Sequence, residues 1–226
     1  MSVVNVAESV AAPAVRRVAA AARVDVWCVS LASTPDARGS FDQTLTAEER
    51  ARATRMRVGG ERWIAARAAL RRVLGHYLDL PPEHVPLSAG GDGKPRLARR
   101  TLPDLRFNLS HSDGIALVAV RLDHEVGVDV ERIRDGVDGG SIASALFSPE
   151  ERVRWAASTD SSPHEAFFRA WVRREALAKA TGRGIIAPVS AHEIAAYTVR
   201  ELPGIRGYAA AVASEGAGWD VALHED

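Results

Sequence analysis

Three short runs of β-branched and apolar residues follow one another in the second half of the chain. They are Phe107 to Ser110, Ile115 to Leu122 and Val126 to Ile133, and turn-forming residues separate them, at Asp113-Gly114 and at Asp123-His124-Glu125. Runs of this length with such turns predict antiparallel strands, so we expect a three-stranded meander. The pattern favours a fold that contains antiparallel sheet.

Helices are predicted on both sides of these strands. Thr46-Ala47-Glu48-Glu49 has the spacing of a capping box, in which the Thr hydroxyl and the Glu carboxylate satisfy free amides of an opening turn. Ser148 followed by Pro149 predicts a second helix start, with Ser148 as the cap. Longer helices are expected from about Glu61 to Leu78, ending before Pro81-Pro82, and from about Pro163 to Ala180.

Strands are expected at both ends of the folded part. Val24 to Leu31 predicts a first strand, and the tail after Ser190 predicts short strands with turns at Pro203-Gly204 and Glu215-Gly216. Together with the helices, these strands give an α+β fold.

The two long helices share one spacing, which predicts two similar α/β subdomains facing each other across a cleft. One side would supply cations and the other carboxylates. We place the subdomains at residues 24–105 and 106–226, after a mobile N-terminal extension over residues 1–23. The matched residues are Trp63 with Trp171, Arg67 with Glu175, and Arg71 with Lys179.

The overall charge is balanced but patchy. The 29 basic and 29 acidic side chains cancel, so the chain as a whole is not a polyanion binder and we expect no nucleic-acid partner. From Arg50 to Arg72, however, eight arginines surround a single acid, Glu61. This run is either a solvated helix face or a local site for a phosphorylated ligand.

Cysteine content and hydropathy predict a cytoplasmic protein. The single cysteine, Cys28, excludes an intrachain disulfide and a cysteine-based zinc site. No apolar stretch is long enough to span a bilayer. The first 23 residues are a poor secretory signal, because Glu8, Pro13 and Arg16-Arg17 interrupt them.

Two acids alternate with valines in Val126-Gly127-Val128-Asp129-Val130-Glu131. Strand alternation places Asp129 and Glu131 on one face and the valines on the other. Neighbouring carboxylates repel each other unless a cation joins them, and oxygen ligands suit magnesium. The motif alone is equally consistent with a metal site and with a solvated strand face that carries two ordinary acids.

A third acid favours the metal site. Trp171, Glu175 and Lys179 share one face of the predicted helix over 163–180, so Glu175 is a candidate third ligand or base and Lys179 a candidate phosphate partner. The alternative is a surface pair between Glu175 and Lys179. His111, at the end of the first strand of the meander, is either a contact for the same phosphate or a structural residue.

Four stretches in order resemble the 4′-phosphopantetheinyl transferases, specifically the larger single-chain, surfactin-synthetase-type class, over roughly residues 24 to 210. The arginine-rich segment from Glu48 to Arg72 is also similar to the family's N-terminal half. The stretches are Gly93-Lys94-Pro95, Phe107-Asn108-Leu109-Ser110-His111-Ser112, Gly127-Val128-Asp129-Val130-Glu131 and Trp171-Val172-Arg173-Arg174-Glu175-Ala176-Leu177-Ala178-Lys179.

The resemblance implies two α+β halves related by a pseudo-twofold, with coenzyme A bound in the cleft between them. The expected cofactor is Mg²⁺, with Mn²⁺ as its substitute. By position, Asp129, Glu131 and Glu175 match the metal ligands, and Glu175 also matches the family's proposed base. Lys179 matches the lysine near the scissile pyrophosphate. The residues matching groups that hold the phosphates of coenzyme A are Lys94, Arg52, Arg62, Arg67, Ser110 and His111.

The chain departs from the family at Arg174, where lysine often precedes the catalytic glutamate. Arginine keeps the charge but is a planar fork, so its role is left open. Glu151 aligns with another acid of the family and equally suits a capping box after Ser148. Leu146 and Phe147 are candidates for an apolar contact with a partner.

The expected reaction transfers the 4′-phosphopantetheine arm of coenzyme A to a serine of an acyl or peptidyl carrier protein, leaving 3′,5′-ADP. No serine–histidine–acid triad is evident, as expected when the nucleophile belongs to the partner. We expect a monomer that contacts no membrane. Two other classes stay open: another metal-dependent phosphoryl-transfer enzyme or nuclease, and a non-catalytic module that binds carrier proteins.

Overall fold

The computed structural model describes residues 22–31, 41, 43–89, 94–159, 162–183 and 195–225. The predicted N-terminal extension lies outside these residues, apart from its last two positions, and so does Gly93 of the Gly93-Lys94-Pro95 stretch. In the part of the chain that is described, no helix is both long and apolar enough to cross a lipid bilayer.

The helices begin where the sequence predicts. Thr46 and Ser148 each form a complete capping box, with Glu49 and Glu151 as the third helical residues. The helices of the described residues are α1 (Ala47–Thr54), α2 (Gly60–Leu78), α3 (Gly139–Leu146), α4 (Pro149–Ala156) and α5 (Pro163–Thr181), with a 3₁₀ turn at Pro82–His84. The two 19-residue helices, α2 and α5, follow the short capped helices α1 and α4 along the chain.

The strands of the described residues form three sheets. These strands are β1 (Arg23–Ser30), β2 (Leu87–Ala89), β3 (Pro95–Leu97), β4 (Leu105–Ser112), β5 (Ile115–Leu122), β6 (Val126–Arg132), β7 (Tyr197–Glu201), β8 (Tyr208–Glu215) and β9 (Asp220–Glu225). One sheet has the order β4-β5-β1-β9, in which β1 pairs antiparallel with β5 and parallel with β9. A second has the order β6-β8-β7 with antiparallel pairs, and β2 and β3 form a small ribbon.

The core is layered, because the two larger sheets pack face to face and each carries a long helix on its other face. Alternate residues of β1 and β5 meet β6 and β8 between the sheets, where Val26, Leu117 and Val128 are fully buried. Helix α2 covers the outer face of the first sheet. Helix α5 covers the outer face of the second. The fold is therefore mixed α+β, as the sequence predicts.

The predicted meander is wrong in its third strand. β4 and β5 form the expected antiparallel hairpin, but β6 pairs with β8 and belongs to the other sheet. The local turn at residues 123–125 predicted a second hairpin. β8, about 80 positions later in the chain, forms the backbone hydrogen bonds with β6 instead, and short-range turn signals do not indicate such a distant partner.

β4 and β6 nevertheless lie side by side, joined through side chains. The Asn108 side-chain oxygen accepts a hydrogen bond from the Val128 N–H at 3.0 Å, and the Ser112 hydroxyl accepts from the Arg132 N–H at 3.1 Å. These bonds satisfy backbone donors on the free edge of β6. We call this junction the β4–β6 seam.

Gly127 lets helix α5 approach β6 closely. A Cβ atom at this position would lie 2.2 Å from the Ala176 carbonyl oxygen and 2.4 Å from the Ala180 nitrogen. Only a residue without a side chain fits there. The contact brings the Glu175 and Lys179 turns of α5 against the face of β6 that carries Asp129.

The predicted boundary between the two subdomains, after residue 105, falls at the first residue of β4. That strand lies in one sheet with β1 from the first segment and β9 from the last. The division into subdomains and their pseudo-twofold relation stay predictions.

Candidate active site

Lys179 and Asp129 form a direct ion pair at the centre of the site. The Lys179 ammonium lies 2.6 Å from Oδ1 of Asp129 and 2.9 Å from the Ser110 hydroxyl, which itself donates to the same carboxylate oxygen at 2.9 Å. Asp129 is 4% exposed. The three side chains come from α5, β6 and β4, so helix packing and the β4–β6 seam together build this cluster.

Glu175 lies one helical turn before Lys179 and is also 4% exposed. Burial and the negative charge of Asp129 raise the pKa of Glu175 to about 7, although Lys179 and Arg174 oppose the shift. Among the described residues, its Oε1 is buried without a hydrogen-bond partner. A carboxyl with a pKa near neutrality can accept and return a proton at physiological pH.

Glu131 is held by the neighbouring strand. The Ser112 hydroxyl donates a hydrogen bond to its Oε2 at 2.9 Å. Burial raises the pKa of Glu131, the Ser112 hydrogen bond counters part of that rise, and the charge of Asp129 adds to it. As the alternation predicts, Val128 and Val130 are buried in the core between the sheets.

A divalent cation fits the chemistry of these acids, although the structure does not gather them into a preformed site. Within the described ranges, no three histidine, cysteine, aspartate or glutamate side chains stand where they could jointly hold a metal ion. Two buried carboxylate oxygens, Oδ2 of Asp129 and Oε1 of Glu175, have no partner among those residues. Unpaired buried carboxylate oxygens are suitable ligands for a hard cation such as Mg²⁺.

A cavity of about 160 Å³ opens beside this cluster, between α2 and the end of β4. It is smaller than the roughly 300–1,000 Å³ of a pocket for a whole drug-sized ligand, so it suits one portion of a larger molecule. Arg52 and Arg67 lie over the ring of Trp63, with guanidinium carbons 5.4 and 6.0 Å from its centroid. The lining residues are Arg52, Trp63, Ala66, Arg67, Pro95, Leu109 and His111.

His111 is a neutral donor or acceptor at this cavity. Burial and the nearby charges of Lys179 and Arg62 lower the pKa of His111 below its usual value, so the ring is uncharged at neutral pH. The positive charge of the cavity therefore comes from the arginines.

Glu49 is hydrogen-bonded to two arginines of α2, and one of them, Arg67, lines the cavity. Its carboxylate accepts hydrogen bonds from Arg67 Nε at 2.5 Å and from Arg71 Nε at 2.7 Å. The sequence predicted only a helix-capping role for Glu49. The position of Glu49, directly before the run of arginines from Arg50 to Arg72, is the signal that indicates this second role.

The remaining predicted residues take different positions. Arg62 is largely exposed, pairs with Asp113 at 3.5 Å and is not among the residues that line the cavity. Lys94 donates a hydrogen bond to the main-chain carbonyl of Lys179 at 3.0 Å. Arg174 donates to Glu151 at 2.8 Å, which links α5 to the capping box of α4.

The structure thus forms two groups from the predicted residues. Asp129, Glu175, Lys179 and Ser110 meet at the β4–β6 seam, whereas Arg52, Arg67 and His111 line the cavity. Sequence reasoning missed the roles of Asn108 and Ser112, whose alternation with Ser110 along β4 is the signal that could have placed them together. Phe147 is 4% exposed and packs on Phe167 and Trp171. The prediction that Phe147 contacts a partner from an exposed position is therefore wrong.

Comparison with known proteins identifies the family. Residues 125–221 match the profile of the 4′-phosphopantetheinyl transferase superfamily, a stretch that begins just before β6 and includes α5. The chain is 34% identical over 211 residues to 4′-phosphopantetheinyl transferase HetI of Nostoc sp., an alignment that covers 87% of this chain and 89% of that protein.

Two further relatives match shorter regions. Identity to 4′-phosphopantetheinyl transferase AcpT of Escherichia coli strain K12 is 41% over 123 residues, or 54% of this chain and 58% of that protein. Identity to 4′-phosphopantetheinyl transferase gsp of Aneurinibacillus migulanus is 31% over 121 residues, or 54% of this chain and 48% of that protein. The near full-length similarity to HetI, with the superfamily match over the β6 and α5 region, shows that this chain belongs to the 4′-phosphopantetheinyl transferase superfamily.

Proposed function

We propose that this chain transfers the 4′-phosphopantetheine arm of coenzyme A to a serine of an apo acyl or peptidyl carrier protein. The products are the holo carrier protein and 3′,5′-ADP. The observation that carries the proposal is the buried pair of Asp129 and Glu175, with Lys179 bridging Asp129 to Ser110. Family membership supports the same conclusion.

The two groups of residues suit two portions of coenzyme A. The cations of the cavity, Arg52 and Arg67, suit phosphates at the nucleotide end, and neutral His111 can hydrogen-bond to them. Lys179 suits the pyrophosphate, where the reacting bond lies. This arrangement corresponds to an active site in a cleft between two similar halves, which we propose for residues 24–105 and 106–226.

The chemical step needs a base and charge stabilisation. Glu175, the buried carboxylate next to Asp129, accepts the proton of the carrier serine. The serine Oγ then bonds to the β-phosphorus of coenzyme A, the bond from that phosphorus to the bridging oxygen breaks, and 3′,5′-ADP leaves with the electron pair. Lys179 stabilises the negative charge on the phosphate oxygens during this displacement.

Mg²⁺ would be held by Asp129, Glu131 and Glu175, where it would neutralise pyrophosphate charge. Mn²⁺ is chemically similar enough to replace it. The partnerless oxygens of Asp129 and Glu175 support this assignment.

Intact-mass spectrometry tests the function. Apo carrier proteins of the fatty-acid, polyketide and peptide-synthetase types are each incubated with this chain, coenzyme A and Mg²⁺. A mass gain of one phosphopantetheine, lost with EDTA and in Glu175→Gln, is the expected result. Glu165→Gln is the matched control, because Glu165 lies on the same helix as Glu175 but pairs with Arg169 outside the site.

The same experiment separates the alternatives. If no carrier gains mass although coenzyme A binds, a non-catalytic binding module is favoured. If coenzyme A or another nucleotide is cleaved without any carrier, a hydrolytic phosphoryl-transfer enzyme is favoured.

A further inference from the structure

We propose that Glu49 is a positioning residue, which holds the Arg67 guanidinium so that its free edge faces the phosphates of a ligand in the cavity. This rests on the function proposed above and extends it to a residue that has no contact with the substrate. Three observations carry it: the contacts of Glu49, the way Arg67 is held, and the separate role of Arg71.

Both carboxylate oxygens of Glu49 are engaged. Oε1 accepts from Arg67 Nε at 2.5 Å and from Arg71 Nη2 at 3.1 Å, whereas Oε2 accepts from Arg71 Nε at 2.7 Å and from the Thr46 N–H at 3.0 Å. Glu49 is only 8% exposed. A carboxylate with four donors in a buried position has a fixed orientation, so it can fix the side chains bonded to it.

Arg67 is held at one side of its planar fork. The Nε–H of Arg67 donates the hydrogen bond to Glu49, and the Nη1 and Nη2 groups take no part in that bond. The Arg67 side chain is 12% exposed and lines the cavity. Because the guanidinium is rigid and planar, fixing Nε also fixes the direction of the two Nη groups, which together match a phosphate in bidentate fashion.

Arg71 connects Glu49 to the main chain. It is 2% exposed, and its Nη1 donates to the carbonyls of Pro82 and Val85 at 2.9 and 3.0 Å. Arg71 is therefore fixed to the backbone after α2, and Glu49 bridges from this fixed point to Arg67. The chain of contacts runs from main chain to Arg71, to Glu49, to Arg67 and to the cavity.

Thr46 allows this role to be separated from helix capping. Its hydroxyl accepts from the Glu49 N–H at 3.2 Å, so Thr46→Ala weakens the start of α1 but leaves the Glu49 carboxylate and its arginines in place. A purely structural role of Glu49 predicts similar effects of Thr46→Ala and Glu49→Gln on ligand binding. A positioning role predicts an effect of Glu49→Gln alone.

The experiment measures coenzyme A binding by isothermal titration calorimetry in the full chain. We expect Glu49→Gln to bind about tenfold more weakly, the size of one lost charge-assisted hydrogen bond. Thr46→Ala should bind as tightly as the unaltered chain, even if it unfolds at a lower temperature. Glu49→Gln/Arg67→Met should bind no more weakly than Arg67→Met, because Glu49 acts through Arg67.

Arg67→Lys provides a second test that leaves the buried Glu49 and Arg71 pair intact. Lysine keeps the charge but lacks an Nε–H that fixes a planar fork, so we expect binding to weaken by about fivefold or more. In steady-state assays with an apo carrier protein, Glu49→Gln should raise KM for coenzyme A with little change in kcat.

Equal affinity of Glu49→Gln and the unaltered chain, additive effects in the double variant, or full affinity of Arg67→Lys would overturn the positioning role. These outcomes leave the proposed transferase function standing. If the unaltered chain binds neither coenzyme A nor 3′,5′-ADP, both proposals fail together.

Discussion

The ammonium of Lys179 lies 2.6 Å from Oδ1 of Asp129, so the lysine of α5 is joined to a carboxylate of β6 rather than to Glu175, its neighbour on the helix. A surface pair between Glu175 and Lys179 is therefore not what the structure contains. Lys179 both neutralises a buried charge and connects the helix to the sheet.

Removing the cation from this pair should destabilise the fold. Lys179→Met leaves the Asp129 carboxylate buried without its ion pair, and breaking a buried pair in this way costs about 3 kcal/mol. The free energy of unfolding in urea at neutral pH measures the loss. Asp129→Asn in the same chain should restore much of it, since the uncompensated charge is then gone.

Arg173→Met is the control for that substitution, because Arg173 lies on the same helix in an exposed pair with Glu201. Such pairs contribute about 0–1 kcal/mol. Equal losses in Lys179→Met and Arg173→Met would contradict the assignment of Lys179 to a buried pair.

The close approach at Gly127 predicts a structural and a functional loss together. A methyl group there would overlap the Ala176 carbonyl, so Gly127→Ala must push α5 away from β6. Overpacking of this kind costs about 1–3 kcal/mol, and we expect the upper end because the obstacle is backbone. Thermal unfolding and the mass-gain assay check both effects, since Glu175 and Lys179 move with the helix.

Gly218→Ala is the matched control for Gly127→Ala, because a Cβ at Gly218 meets no atom within 4 Å. It should leave stability within about 0.5 kcal/mol of the unaltered chain. A tolerated Gly127→Ala would show that α5 does not press on β6 as described.

Glu175 should make stability depend on pH in the metal-free chain. The pKa of Glu175 is about 7 in the folded state, above the 4.5 of an unperturbed glutamate, so folding takes up a proton at pH values between these two. The contribution of Glu175 therefore falls as pH rises through this window, by roughly 3 kcal/mol in total. Urea unfolding in EDTA from pH 5 to pH 8 should show this decline relative to Glu175→Gln.

Glu165→Gln again provides the reference, since Glu165 is on the same helix but outside the site. Its stability should follow that of the unaltered chain across the range. Parallel pH profiles for the unaltered chain and Glu175→Gln would mean that Glu175 titrates at an ordinary pKa.

Divalent cations should stabilise the folded chain through the same acids. At a Mg²⁺ concentration of ten times the dissociation constant, binding to the native state alone adds about 1.4 kcal/mol. The shift in unfolding temperature on adding Mg²⁺ or Mn²⁺ measures this. Asp129→Asn should reduce the shift, whereas Glu201→Gln, which changes an exposed acid of β7, should not; an equal shift in both would place the cation elsewhere.

The sequence predicted the local elements well and their distant partners less well. Each capping box, at Thr46 and at Ser148, is formed within four consecutive residues, so the local sequence is sufficient to predict it. The structure confirms both helix starts. The pairing of β6 with β8 depends on a contact across some 80 residues, for which alternation in β6 carries no information. The burial of Phe147 likewise depends on α5, which lies further along the chain.

The same limit applies to the site. Spacing was sufficient to predict that Asp129 and Glu131 share a strand face and that Glu175 and Lys179 share a helix face. Which member of one set meets which member of the other depends on the packing at Gly127, and the sequence did not reveal that Lys179 meets Asp129. Ligand and catalytic roles of these residues stay predictions.

The β4–β6 seam has a consequence for how the site can change over generations. Backbone ladders have almost the same strand spacing whatever the side chains are, so substitutions hardly alter them. The seam is instead spanned by an amide and a hydroxyl, from Asn108 and Ser112, so its width is set by the lengths of these side chains. Single-codon changes at two positions can thus alter the width of the seam, while the pairing within each sheet is preserved.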